Sequence, residues 1–451
     1  MPEQPEMMAI GDSLFNGVRS LTINEPLAQW SAPAQVANAL GIPFATPDYP
    51  RNVVTNFEQW LRDFPNLAGI ALDVENNINF WDTNPKSSLA AFDNIAIAST
   101  TYADMYSRTW QTAQTEINDL HGRLGTDFSK IGGNLAALFF AFNTRFLLNP
   151  TGDPQAPALT PLGIVAERRP ARLLISIGAN NGLWNMGFAA DASTGQPGGP
   201  IGDPFDQQDM SDLNKFFDEL RALPADVKHI YLNALPLPSQ VADMMPVPDV
   251  SDDPSAKPGP GNYYAHYENR FGFNYNVLTG AQVKANDALV TAVNARVRAE
   301  AATDPRIHVV PIDAAFAQYD FKTNKDARTI PTTDGKTISN IMIEGPELLF
   351  PNFWRGGLMG LDGMHPTVVG YAIMSTQILQ AIDTYEGIKP VAMPTMDAAY
   401  KADSLLQKVP ISWDIVLDLS LDIRRSTGAR PAGMKYDAVA DLLNALGFKY
   451  D

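Results

Sequence analysis

The chain has 451 residues, of which 45% are hydrophobic and only 18% charged, with a net charge of −17 and no cysteine. That acidity argues against nucleic acid or an anionic membrane as a partner. The absence of cysteine excludes disulfides, thiol nucleophiles and thiolate metal sites, and the length allows one enlarged domain or a core with appendages.

In chain order, the apolar run Met7 to Ile10 reads as a buried strand, closed by the turn-forming Gly11-Asp12-Ser13. A helix opens at Leu14, with Asp12 or Ser13 near its N-cap. A serine at such a turn stands at the carboxyl edge of a sheet, beside helix N–H groups that favour negative charge. That suits an acyl-transfer nucleophile and equally an ordinary capping serine. With a strand expected from Met7, no signal peptide is expected ahead of it. A cytoplasmic location is therefore the default expectation, with secretion or a periplasmic location the alternative for a chain that has lost a leader.

A helix is expected over 31–41, an insertion over about 48–90, and a strand and turn over 92–100. Helices follow over 103–124 and 134–148. The second is strongly apolar, but Asn143 and Arg145 interrupt it and it is too short to span a bilayer, so no transmembrane segment is expected. The run 172–178 is the next strand and ends in Gly178-Ala179-Asn180-Asn181. Then come a helix over 210–223, a strand over 227–233, an insertion over about 240–279, a helix over 280–301 and a strand over 307–312. The insertion concentrates Tyr263, Tyr264, Tyr267, Phe271, Phe273 and Tyr275. A further insertion, about 321–360, precedes Asp362-Gly363-Met364-His365-Pro366 and another helix. Residues 388–451 read as a helical appendage to a domain spanning 1–387, with amphipathic pieces over 396–407 and 436–446. The alternation of short apolar strands with helices implies a parallel sheet covered on both faces, with ligands bound at the strand carboxyl ends.

Ser13 needs a base to become a nucleophile. Of five histidines, His121 lies in a polar helix, His229 and His308 fall in strand patterns, and His266 sits in the aromatic insertion. His365 alone has a motif context, three residues after Asp362 and next to a stiffening proline. In that arrangement His365 takes the Ser13 proton and returns it to the leaving alcohol, while Asp362 orients the ring. There is no Gly-x-Ser-x-Gly elbow, no His-Glu-x-x-His pair and no Walker A loop. The acidic run 249–253 lacks calcium-loop spacing.

Gly11-Asp12-Ser13-Leu14 early, Gly178-Ala179-Asn180 in the middle and Asp362-Gly363-Met364-His365-Pro366 late together resemble the SGNH (GDSL) hydrolases. The resemblance covers about 7–386 and implies a three-layer α/β/α sandwich with a flavodoxin-like parallel sheet. It also implies a serine hydrolase that cleaves carboxylic esters through an acyl-serine intermediate, without cofactor or metal. By resemblance, the oxyanion donors are the backbone N–H of Ser13, the backbone N–H near Ser99 and the side-chain amide of Asn180. Two positions depart from the family: Ser99 stands where a glycine is usual, and Asn181 where an aspartate is usual. Candidate substrate contacts are Leu14, Asn181, Trp184 and Met364 in or beside the blocks, and Tyr264 and Tyr267 as part of a wall or lid, with packing of the aromatic insertion into a core as the equal alternative. The expected substrate is a small-molecule or lipid-like ester with a partly apolar acyl group. A carbohydrate O-acetyl esterase on the same fold is the alternative, followed by a non-catalytic scaffold or adhesion module. No oligomeric state follows from the sequence.

Overall fold

The computed structural model of the protein describes residues 4–53, 56–63, 67–124, 131–184, 205–247, 253, 255–269, 277–346 and 353–413. Its strands in chain order are β1 (Met7–Gly11), β2 (Arg172–Ser176), β3 (His229–Asn233), β4 (Met244–Pro246), β5 (His266–Asn269), β6 (Val277–Thr279), β7 (Ile307–Val310), β8 (Ile330–Pro331), β9 (Thr337–Ser339) and β10 (Gly356–Gly357). Strands β1, β2, β3 and β7 form an all-parallel sheet in that order. The expected strand over 92–100 makes a single parallel bridge, Ala9 to Asn94, yet runs alongside β1. Ala9 N–H donates to the Asp93 carbonyl, and Ile95 and Ile97 N–H donate to the Ala9 and Gly11 carbonyls, at 2.8, 2.9 and 2.8 Å. Turn-forming Asp93 and Asn94 bend it, so it closes the sheet edge without becoming a regular strand.

Alternate strand residues enter two separate cores, as the two-residue period of a strand requires. Met8, Ile10, Leu173, Ile175, Ile230 and Leu232 face one side, with helices Trp110–Leu124, Pro161–Arg168, Gln207–Ala222 and Gly280–Ala301. Met7, Ala9, Leu174, Tyr231 and Val310 face the other, with helices Ala32–Leu40, Ile312–Ala317 and Val368–Glu386. Both faces of the sheet are thus covered by helices, which is why its strands read as continuous apolar runs rather than alternating ones. Truncating a fully buried strand residue such as Leu174 to alanine removes contacts worth about 2–5 kcal/mol.

Several expected elements differ in detail. The helix over 103–124 is two, Asp104–Ser107 and Trp110–Leu124, broken by Arg108 in an extended conformation. The first insertion holds the helices Phe57–Asp63 and Leu67–Asp82, which its Pro and Asn content had masked. The aromatic insertion builds the antiparallel sheet β4-β5-β6, whose β5 carries Tyr267. The C-terminal segment 396–413 packs on the second core, burying Tyr400, Leu405, Leu406 and Trp413 in it. Phe271, Phe273, Tyr275 and the amphipathic piece 436–446 lie outside the described residues. No described helix is long and apolar enough to cross a membrane.

Candidate active site

Strand β1 ends at Gly11, whose φ is +133° and where a Cβ would lie 1.9 Å from the Ser176 carbonyl oxygen. Only glycine allows β1 and β2 to approach this closely as the chain turns. Asp12 N–H then donates to that carbonyl at 2.8 Å. The Asp12 carboxylate accepts from Leu14 N–H at 3.1 Å, capping the helical turn Ser13–Asn16. Ser13 is therefore the first helical residue above the carboxyl edge of the sheet, 8% exposed.

His365 arrives from the other end of the chain. Gly360 N–H donates to its carbonyl at 2.7 Å, and Thr367 caps the following helix Val368–Glu386. His365 Nε2 lies 3.0 Å from Ser13 Oγ, and His365 Nδ1 lies 2.8 Å from Asp362 Oδ2. Asp362 is fully buried and also accepts from the backbone N–H groups of His365, Met364 and Leu21, at 2.9, 3.1 and 3.1 Å. Burial disfavours its charge, but the His365 ring and the His365 and Met364 N–H groups outweigh that and hold its pKa below the ordinary carboxylate value. An ionised Asp362 fixes the tautomer: Nδ1 carries the proton and Nε2 is free to accept one from Ser13.

The middle blocks meet Ser13 through the backbone. The Thr100 hydroxyl donates to the Gly11 carbonyl at 2.9 Å, and Asn180 Nδ2 donates to the Thr100 carbonyl at 3.0 Å. That bond uses one of the two Asn180 amide protons. The backbone N–H groups of Ser13 and Ser99 make no hydrogen bond to the described residues. Ser99 has φ +63°, the left-handed conformation that favours glycine, so a serine occupies a glycine-shaped position and its backbone N–H is kept. Gly178 is equally constrained, with φ +117° and a Cβ position 2.4 Å from the Tyr102 hydroxyl.

Compared with protein-family models, curated proteins and solved structures, the chain matches none.

The structure brings Ser13, Asp362 and His365 together and ties Asn180 to the same edge, while most of the expected substrate contacts are buried. Leu14 and Met364 are buried members of the two cores. Trp184 is buried, its indole N–H donating to the Pro236 carbonyl at 3.1 Å. Asn181 is buried too: its carbonyl accepts from Tyr102 N–H at 3.0 Å and its amide donates to Asp209 at 2.7 Å. It holds the Ser99 loop against helix Gln207–Ala222, and an aspartate there would face the Asp209 carboxylate with no proton to give. Tyr267 is 1% exposed on β5, where its hydroxyl accepts from Tyr264 N–H. Tyr264 is half-buried and donates to the Lys322 carbonyl at 2.7 Å. It lines a cleft of about 410 Å³ with Tyr263, Gly280 and Lys284, and neither Ser13 nor His365 lines that cleft. His266 is exposed.

Sequence reasoning missed three parts of the site. Thr100 bridges β1 to Asn180, and Leu21 supplies the distant donor to Asp362. Asp12, read only as a cap, is fully buried with Oδ2 unpartnered, and burial pushes its pKa up to about 7 against the opposing Leu14 N–H bond and His365. Its place inside the Gly-Asp-Ser-Leu block was the one available signal. Among the described residues no group of three or more His, Asp or Glu side chains is arranged to hold a metal ion.

Proposed function

We propose that the chain is a serine hydrolase of the SGNH type that cleaves carboxylic esters through an acyl-serine intermediate. The observation that carries this reading is His365, within hydrogen-bond reach of Ser13 Oγ on one ring nitrogen and Asp362 on the other, across 352 residues of sequence. Two others support it. Counting the bent segment beside β1 as a strand, the spatial order is second, first, third, fourth, fifth in chain order, that of flavodoxin-like sheets. Ser99 has the left-handed backbone that favours glycine, at the position where the resemblance expects one.

The chemistry follows from the geometry. Ser13 Oγ attacks the ester carbonyl carbon as its proton passes to His365 Nε2, and Asp362 stabilises the resulting imidazolium. The carbonyl oxygen becomes an oxyanion that accepts from the Ser13 and Ser99 backbone N–H groups and the second Asn180 amide proton. His365 then gives its proton to the departing alcohol, leaving Ser13 acylated. A water molecule repeats the sequence with His365 as base, releasing the acid and restoring Ser13.

Turnover of short p-nitrophenyl esters, together with covalent labelling of Ser13 by a fluorophosphonate read by mass spectrometry, tests the proposal. Labelling at Ser13 that disappears in His365→Ala is the expected result. A folded protein with neither turnover nor labelling would leave the scaffold reading in its place. Acetyl esters of carbohydrates belong in the same substrate series, because the O-acetyl esterase alternative shares the fold.

A further inference from the structure

Two of the backbone donors to Asp362 come from its own loop, and the third, Leu21 N–H, lies 341 residues away in sequence. Leu21 and Ser20 have φ of +54° and +49°, a left-handed pair without a glycine. Residues with side chains keep such a conformation only where their surroundings over-determine it. Here Arg19 and Thr22 exchange backbone hydrogen bonds at 3.2 and 2.9 Å, and Ser20 Oγ accepts from Leu361 N–H at 3.0 Å. The turn therefore touches both Leu361 and Asp362.

The turn is anchored by the Arg19 side chain, which is 2% exposed. Its Nε and Nη2 form a fork on the Glu58 carboxylate at 2.7 and 2.8 Å. Its Nη1 donates to Asp403 at 3.0 Å, and Nη2 also donates to Ser404 Oγ at 2.8 Å. Asp403 is fully buried and fully used. One oxygen accepts from Arg19 and from the N–H groups of Leu405 and Leu406; the other accepts from Val368 N–H at 2.7 Å. Val368 opens the helix that follows His365-Pro366-Thr367. One carboxylate thus holds the segment that donates to Asp362 and the segment that follows His365.

A buried ionic cluster is a poor source of stability, because desolvation cancels most of the attraction; its better-attested use is to fix register. We infer that Asp403, supplied by the C-terminal segment, is a positioning residue for the Asp362–His365 pair, acting through Arg19 and the Ser20-Leu21 turn and through Val368. The inference rests on the hydrolytic reading of Ser13, His365 and Asp362.

The test uses Asp403→Asn in the full chain, which keeps the size but removes the charge and one acceptor. Turnover of p-nitrophenyl acetate should fall about tenfold or more in kcat, with KM within about twofold, because alignment and not binding is lost. The pH of half-maximal kcat/KM should move down, since a misaligned Asp362 stabilises the imidazolium less. Leu405→Val, a cavity in the same short helix, should lower Tm and leave the pH profile alone. The far-downfield proton resonance of His365 Nδ1–H, read at low pH in a Ser13→Ala background, should be lost or shifted by Asp403→Asn. An Asp403→Asn protein that loses Tm like Leu405→Val, with profile and resonance unchanged, overturns the inference. If Asp403→Asn does not fold, Arg19→Lys, which keeps the charge and breaks the fork, takes its place with the same readouts. If the wild type turns over no ester, the hydrolytic reading fails by itself, and the resonance alone decides whether Asp403 positions the pair.

Discussion

The two edges of the parallel sheet each carry buried histidine chemistry, and only one edge has a reactive atom to apply it to. At the carboxyl edge His365 stands between a carboxylate and a hydroxyl, beside backbone N–H groups with no partner among the described residues. At the amino edge His229 Nδ1 lies 3.1 Å from His308 Nε2, and Tyr385 stacks on His308 with ring centroids 3.9 Å apart. Glu386 there accepts from Arg172 and the Tyr231 hydroxyl, both at 2.8 Å, and its carboxylate lies 3.8 Å from His229. These side-chain contacts join Arg172, Tyr231, His229 and His308 to one another and to Glu386, with no serine or threonine hydroxyl among them. A cluster of titratable groups becomes a candidate site only where the fold leaves a nucleophile and donors unspent, and a strand-to-helix turn does this because the first helical N–H groups have no partner of their own.

The sharpest way to break this contrast is to disarm each edge in turn. Ser13→Ala should lower ester turnover by on the order of 10⁴-fold or more with little change in Tm. His229→Ala should leave kcat/KM within about twofold while lowering Tm, because its partners are structural. Equal losses of activity from both variants would end the distinction.

A smaller effect is expected from the oxyanion side. Asn180→Ala should reduce kcat by about 10²–10³ with a lesser change in KM, since its free amide proton strengthens its bond only as charge develops. A rise in KM with kcat intact would make Asn180 a ground-state binding residue.

Stability as a function of pH should separate the edges by sign. Asp12 has a folded pKa raised to about 7, chiefly by burial, so its contribution is present near pH 4 and is lost as pH rises toward 7. His308 is held below its ordinary value by burial and by His229, against Glu386 and Asp304, so it must gain a proton on unfolding. Its contribution is lost as pH falls through the usual histidine range. Asp12→Asn should therefore raise Tm relative to wild type as pH increases from 4 to 8, and His308→Gln should do so as pH decreases below 6.5. Thermal melts across that range check both, and slopes of the same sign would contradict the burial argument. Asp362 does not interfere, because its lowered pKa confines its own loss to the acid side of the ordinary carboxylate value.

The smallest effect is expected at Asn181. Asn181→Asp restores the residue usual in the resembled family, but sets a carboxylate against Asp209 where an amide now donates at 2.7 Å. A stability loss of about 1–3 kcal/mol with kcat reduced only a few-fold is the expected outcome, read by denaturation and steady-state kinetics. A large gain in activity would mean that the asparagine compromises the site.

What the sequence determined by itself was whatever is written locally. Apolar runs ending in glycine or asparagine announced β1, β2 and β3, because a strand buried on both faces must be apolar throughout and must stop at a residue that permits a turn. The Asp-x-x-His-Pro spacing announced the pair on one loop, because three residues suffice for Asp362 to reach both the ring and the backbone of His365. Tertiary structure decided everything that depends on contacts between distant segments. Composition left the aromatic insertion equally open to a ligand wall and to a core, and packing buried Tyr267, since a large aromatic is as useful inside a core as in a wall. The asparagine at 181 looked like a lost carboxylate until Asp209 was found opposite it. Ser20 and Leu21 carry no sequence mark of a left-handed turn, because their conformation is imposed by Arg19, Glu58 and Asp403, drawn from three separate parts of the chain.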